Sequence, residues 1–118
     1  MISDGIIDLV KAGVVNGSRK SVDRNQIVAS FCLGTRRLYD FIDNNPMLAF
    51  HPTEYVNDPY VISRQHKMVA INVALEIDLT GQVCADSIGT RFFSGVGGQV
   101  DFGRGAAKAR GGRKKEGN

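Results

Sequence analysis

The stretch with the strongest chemical character is Ser94-Gly95-Val96-Gly97-Gly98-Gln99-Val100-Asp101-Phe102, where three glycines fall within four residues. It follows Arg91-Phe92-Phe93 and precedes a helix expected from Gln99 to about Arg110. A glycine turn entering a helix leaves backbone N–H groups unpaired at the helix start. Backed by the helix dipole, those groups suit a phosphate, a carboxylate or a developing oxyanion. Taken alone, such a turn is also a common connector. No complete catalytic set accompanies it. His51 and His66 are the two histidines, and neither has a Cys, Asp or Glu at ligand spacing. Cys32 and Cys84 lie far apart and make no metal spacing, so no metal is expected and both read as buried reduced thiols. Glu76 and Asp78 alternate with Leu75, Ile77 and Leu79. That alternation puts two carboxylates on one strand face, read here as a solvated face.

The elements that must position the glycine turn follow from the chain in order. Ser3 or Asp4 can cap a first helix, with Ile6, Leu9, Val10 and Val14 at helical spacing to about Val15, before a stop at Asn16-Gly17. Residues 18–26 are polar and read as an exposed loop. Ile27 to Cys32 is a short apolar run suited to a buried parallel strand. Thr35 can cap a helix through about Asp43, and Asn44-Asn45-Pro46 ends it. Met47 to Phe50 reads as a strand closed by Pro52. Asn57-Asp58-Pro59 starts a short helix, with proline at the favoured first position. Met68 to Asp78 and Gln82 to Ala85 read as two strands joined at Thr80-Gly81. Strands alternating with helices give an α/β architecture, in which ligands sit beyond the carboxyl ends of the strands.

Composition bounds the function. The chain has 118 residues, 42% of them hydrophobic and 23% charged, which is the profile of one small globular domain. Met1-Ile2-Ser3-Asp4 is unlike a secretory leader, and no apolar run approaches the length of a membrane span, so a cytoplasmic location and no membrane contact are expected. The net charge of +3 is unevenly spread. The first 103 residues hold nine Lys/Arg against eleven Asp/Glu, and from Arg104 onward there are six Lys/Arg and one Glu. Beyond Arg110 no apolar residue occurs, so residues 111–118 are expected to be a basic disordered tail, dispensable for folding, on a domain of residues 1–110.

Four motifs in fixed order then carry a resemblance. They are Leu38-Tyr39-Asp40-Phe41-Ile42-Asp43-Asn44-Asn45-Pro46, Tyr55-Val56-Asn57-Asp58-Pro59, Ile71-Asn72-Val73-Ala74-Leu75-Glu76-Ile77-Asp78-Leu79-Thr80-Gly81-Gln82-Val83 and Gly97-Gly98-Gln99-Val100-Asp101-Phe102. Together they resemble the C-terminal half of the acetyl-CoA hydrolase/transferase family, and within it the 4-hydroxybutyrate and butyrate–acetate CoA-transferase branch, from about Ile2 to Ala109. The resemblance implies part of a CoA-transferase (NagB/RpiA-like) fold, an open, mainly parallel sheet flanked by helices. It implies transfer of coenzyme A between an acyl-CoA and a small carboxylate such as acetate, butyrate or 4-hydroxybutyrate. A glutamate nucleophile would form an anhydride and then a glutamyl-CoA thioester. In the family that glutamate sits in a His-Thr-Glu-type motif just before the equivalent of Met1, and neither Glu54 nor Glu76 matches it.

What the resemblance assigns to this chain is the oxyanion-hole half of the site. Gly98 matches the glycine whose backbone N–H faces the oxyanion, with Gly97 as the one-residue-off alternative. Asn57 matches the asparagine whose side-chain amide is the second donor; the bland alternative is a helix N-cap before Pro59. Gly95 and Gly97 would belong to the acyl-CoA surface, while Gln99 and Asp101 would order the turn and cap the helix. The implied partners are acyl-CoA, a carboxylate, the missing N-terminal half of the enzyme and a second copy in a homodimer. Two features depart from the family: the N-terminal half is absent, and Arg113-Lys114-Lys115-Glu116-Gly117-Asn118 stands where an apolar strand is usual. The chain therefore reads as a segment inactive alone. The competing readings are an inert remnant and a binding module whose basic tail contacts nucleic acid. The second is disfavoured because no aromatic residue follows Phe102 to stack on a base.

Overall fold

The computed structural model describes residues 1–95 and 97–117, with the side chains of 114–117 left aside; Val96 and Asn118 lie outside the described residues. The chain forms two compact units, residues 1–56 and 57–118, where a single domain ending at residue 110 was expected.

In the first unit, helix α1 (Gly5–Lys11) is followed by strand β1 (Ile27–Ala29), helix α2 (Arg36–Ile42), strand β2 (Leu48–Phe50) and the short helix α3 (Thr53–Val56). β1 and β2 pair in parallel, Ile27 opposite Leu48 and Ala29 opposite Phe50, so α2 is a crossover between parallel strands. Ile2, Ile7, Ala29 and Leu38 are the buried apolar residues. Helix α1 stops at Lys11 rather than Val15, because Gly13 takes φ +72° and the N–H groups of Val14 and Val15 both turn back to the Leu9 carbonyl.

Neither expected side-chain cap forms. Asp4 makes no cap bond to α1 and Thr35 makes none to α2. Instead the Asp4 carboxylate accepts from both the backbone N–H and the hydroxyl of Thr35, joining the starts of two helices. Gly34 leaves room for this contact, since a Cβ there would lie 2.4 Å from Asp4 Oδ2 and 2.7 Å from Leu38 Cδ2. The Thr35 hydroxyl, then its N–H, hold the Asp4 carboxyl below its ordinary value of 3.8. A lowered folded-state pKa stabilises above the unfolded carboxylate's pKa and is lost as pH falls through the folded value. Asp4→Asn is therefore expected to be less stable than the parent at pH 7. The gap should close on acidification below about pH 4; thermal unfolding across pH checks this, and a gap unchanged down to acid pH would contradict it.

The second unit contains helix α4 (Pro59–Ser63), strand β3 (Val69–Val73), the hairpin β4 (Glu76–Ile77) and β5 (Val83–Cys84), the hairpin β6 (Ser87–Ile88) and β7 (Arg91–Phe92), helix α5 (Gln99–Lys108) and strand β8 (Arg113–Gly117). The β4–β5 hairpin turns at the expected place. Asp78 organises it, one carboxylate oxygen accepting from the Thr80 N–H, the Thr80 hydroxyl and the Gln82 N–H. The Glu76 carboxylate accepts from the Gly89 N–H. These two carboxylates thus shape turns. Cys32 and Cys84 are free and half-buried rather than fully buried.

Among the described residues the strands form four two-stranded sheets, two parallel and two antiparallel, so these strands do not by themselves make an open parallel sheet. The physical reason is local: the β4–β7 strands are two residues long and pair within their own hairpins, and each unit holds a single parallel pair. The tail expected to be disordered beyond residue 110 instead pairs with β3, Val69 opposite Arg113 and Val73 opposite Gly117. Backbone ladders require no apolar side chain, and the Lys67 N–H to Arg110 carbonyl and Arg113 N–H to Met68 carbonyl bonds start this one.

Among the described residues of the second unit, Ile62, Ala70, Ala74, Ala106 and Ala109 are the buried apolar ones. Helix α5 packs against α4 and β3. Its small residues permit the close approach: a Cβ on Gly105 would lie 2.4 Å from Ile62 Cγ2 and 3.2 Å from the Pro59 carbonyl oxygen. Gly105→Ala is expected to cost about 1–3 kcal/mol by overpacking. Adding Ile62→Ala should recover part of the loss; chemical denaturation of the single and double variants measures it, and strict additivity would show the two positions are not in conflict.

Candidate functional site

The glycine turn is held at its entrance by the Asp86 carbonyl, which accepts from both the Phe93 and Ser94 N–H groups. The Ser94 hydroxyl donates to the Ala85 and Gly95 carbonyls. These anchors were not visible in the sequence, because main-chain acceptors carry no residue signature. Gly97 then takes φ +58°, in the left-handed region that glycine enters without cost, and Gly98 is the N-cap of α5. Val96 lies outside the described residues. Gly95 and Gly97 are exposed, and a Cβ on either would meet nothing within 4 Å. They form an open shoulder, whereas Gly98 is half-buried.

Asn57 comes to this turn from the start of α4. A Cβ built on Gly98 would lie 2.8 Å from Asn57 Nδ2, 3.4 Å from Asn57 Cγ and 3.3 Å from Phe102 Cδ2. The side-chain amide of Asn57 therefore rests on the Gly98 α-carbon, with the Phe102 ring one helical turn further along behind it. The packing of α4 on α5, through Ile62 and Gly105, brings together these two residues 41 positions apart. The spacing of Phe102 from Gly98, one helical turn, was the available signal for its role.

The alternative reading of Asn57 as a helix cap is displaced by its neighbour. Asp58 is the N-cap of α4, and its carboxylate accepts from the Tyr60 N–H at 2.8 Å. Among the described residues the Asn57 amide makes no hydrogen bond, and the N–H groups of Gly98 and Gln99 are taken by none of them. An uncharged two-proton donor thus adjoins the unpaired N–H groups of a ten-residue helix start. Neither Gln99 nor Asp101 makes a side-chain cap bond to α5, contrary to expectation; the Asp101 carboxylate stands in the first turn, where the helix dipole favours it. His51 belongs to the first unit, its ring 4.9 Å from that of Tyr55.

Comparison with known proteins gives a consistent result. Residues 34–115 match the model of the acetyl-CoA hydrolase/transferase C-terminal domain. The chain is 52% identical over 113 residues to the 4-hydroxybutyrate coenzyme A transferase of Clostridium kluyveri, covering 96% of this chain and 26% of that protein. Among solved structures it is similar to RipA from Yersinia pestis, with a TM-score of 0.88 and 37% identity over 98% of this chain and 26% of RipA. It is likewise similar to a 4-hydroxybutyrate CoA-transferase from Porphyromonas gingivalis, with a TM-score of 0.83 and 38% identity over 97% of this chain and 26% of that one. The chain spans about a quarter of the length of these relatives.

Proposed function

The chain belongs to the acetyl-CoA hydrolase/transferase family through its C-terminal domain, and on that premise we propose that it supplies the oxyanion-binding half of a CoA-transfer site. The whole enzyme would move coenzyme A between an acyl-CoA and a small carboxylate, of the acetate, butyrate or 4-hydroxybutyrate class. The observation that carries the reading is the contact of the Asn57 amide with Gly98 at the start of α5.

The chemistry follows from that contact. A carboxylate nucleophile attacking a thioester carbonyl converts its oxygen into an oxyanion, which needs donors aimed at the position where charge develops. Gly98 offers a backbone N–H and Asn57 a side-chain N–H, both neutral, so neither traps the anionic carboxylate substrate as a fixed cation would. The α5 dipole adds to the potential at the same point. Gly98 lacks a side chain, as close approach to the thioester requires, and the open shoulder of Gly95 and Gly97 leaves room for the rest of the acyl-CoA. The nucleophilic glutamate, and the strands that would complete an open parallel sheet, belong in this reading to the remaining part of the polypeptide. Reaction of that glutamate with acyl-CoA gives an anhydride and free CoA thiolate. Thiolate attack on the glutamyl carbonyl releases the acyl carboxylate and leaves glutamyl-CoA, and the acceptor carboxylate reverses the steps.

The test uses the chain alone and the chain grafted in place of the matched segment of the Clostridium kluyveri transferase. With butyryl-CoA and acetate, the isolated chain is expected to form no acetyl-CoA above background, and the chimera is expected to turn over. A folded chimera without turnover, or an isolated chain as fast as the relative, overturns the proposal.

A further inference from the structure

Strand β3 carries Val69, Ile71 and Val73 on one face and Ala70 and Asn72 on the other. Ala70 is 2% exposed, while its neighbours on the opposite face, Val69, Ile71 and Val73, are 43%, 76% and 73% exposed. Helix α5 packs on this sheet, and the buried row is the one such a layer covers. A strand with apolar residues on both faces is the pattern of an interior strand covered from both sides. Here the second cover is missing, and among the described residues β3 pairs along one edge only, with β8.

We propose that the Val69–Ile71–Val73 face is an interaction surface for the remainder of a CoA-transferase polypeptide, the portion that the relatives carry outside the matched quarter. The inference rests on the functional reading above. Two observations choose this occupant. The relatives hold about three-quarters of their length beyond the match, enough chain to supply a layer. The alternative, a second copy of this chain, would bring the Arg113 of each copy to the same contact, because the register places Arg113 opposite Val69. Like charges brought together in this way disfavour self-pairing.

The experiment is peptide-resolved maleimide labelling of Ile71→Cys in a Cys32→Ser, Cys84→Ser background, in the isolated chain and in the full-length chimera. Leu79→Cys, at the exposed tip of the β4–β5 hairpin, serves as the control. Labelling at position 71 is expected to slow at least about tenfold in the chimera while position 79 stays reactive, since thiol reactivity follows exposure. Equal labelling at position 71 in both proteins overturns the proposal. Protection that grows with concentration in the isolated chain also overturns it and identifies a second copy as the occupant. Ile71→Lys gives an independent reading: it should lower the thermal midpoint of the chimera and leave that of the isolated chain unchanged, and an equal effect in both would overturn the proposal. The catalytic reading can fail separately, because an inactive chimera with position 71 protected leaves this surface standing.

Discussion

Asn57→Ala in the full-length chimera is expected to lower turnover on the order of 10²–10³-fold, or about 3–4 kcal/mol, with little change in the apparent affinity for acyl-CoA. The split arises because the Asn57 amide would tighten on the carbonyl oxygen only as negative charge develops, so its loss is felt in the transition state more than in the ground state. Gly98→Ala should be at least as damaging for a separate reason. Its methyl group would fall 2.8 Å from Asn57 Nδ2, displacing the second donor while also crowding the thioester. Stability separates this role from a helix-cap role. Asp58 caps α4, so Asn57→Ala should change stability by no more than about 0.5 kcal/mol. Asp58→Ala should instead cost about 1 kcal/mol through loss of the cap. Steady-state kinetics and denaturation on the same preparations decide the matter, and near-normal turnover in Asn57→Ala would sink the oxyanion assignment.

The parts of this arrangement that were legible in the sequence are those written in local residue chemistry. Gly97 and Gly98 announced a turn into a helix, Pro59 announced the start of α4, and Asn44-Asn45-Pro46 announced the end of α2. What was not legible depends on contacts across the chain. Asp4 is indistinguishable from a cap of its own helix until Thr35 arrives beside it. Asn57 and Asp58 are equally good caps by composition, and only the backbone geometry assigns the cap to Asp58. Apolar runs such as Ile27 to Cys32 report burial and not pairing; three residues of that run form β1. The tail was under-read because its pairing with β3 resides in backbone groups that every sequence carries, while its side chains speak only of solvent.

The Gly111-Gly112 pair held a signal that charge composition concealed, and it yields the second large expected effect. Gly111 takes φ +69°, the left-handed conformation that closes many helices, and turns the chain out of α5. Gly112 donates to the Ala109 carbonyl, and Arg113 then joins β3 through the Met68 carbonyl. A Cβ on Gly112 would lie 2.0 Å from the Ala106 carbonyl oxygen and 2.9 Å from Ala109 Cβ. The first of these is backbone inside a helix and cannot rotate away as a side chain can, so either the last turn of α5 opens or β8 leaves its register. Gly112→Ala is therefore expected to cost about 2–4 kcal/mol, at the upper end of single substitutions because it combines overpacking with loss of a strand pairing. Deletion of residues 111–118 should cost less, since it removes the β8 ladder without forcing a clash on α5. The two variants together distinguish a folded tail from an idle one. Native-state hydrogen exchange should show the Val69–Val73 amides opening more readily in both variants than in the parent. If Gly112→Ala and the deletion both unfold at the parent's midpoint, β8 contributes nothing to the fold and the expectation of a dispensable tail is restored.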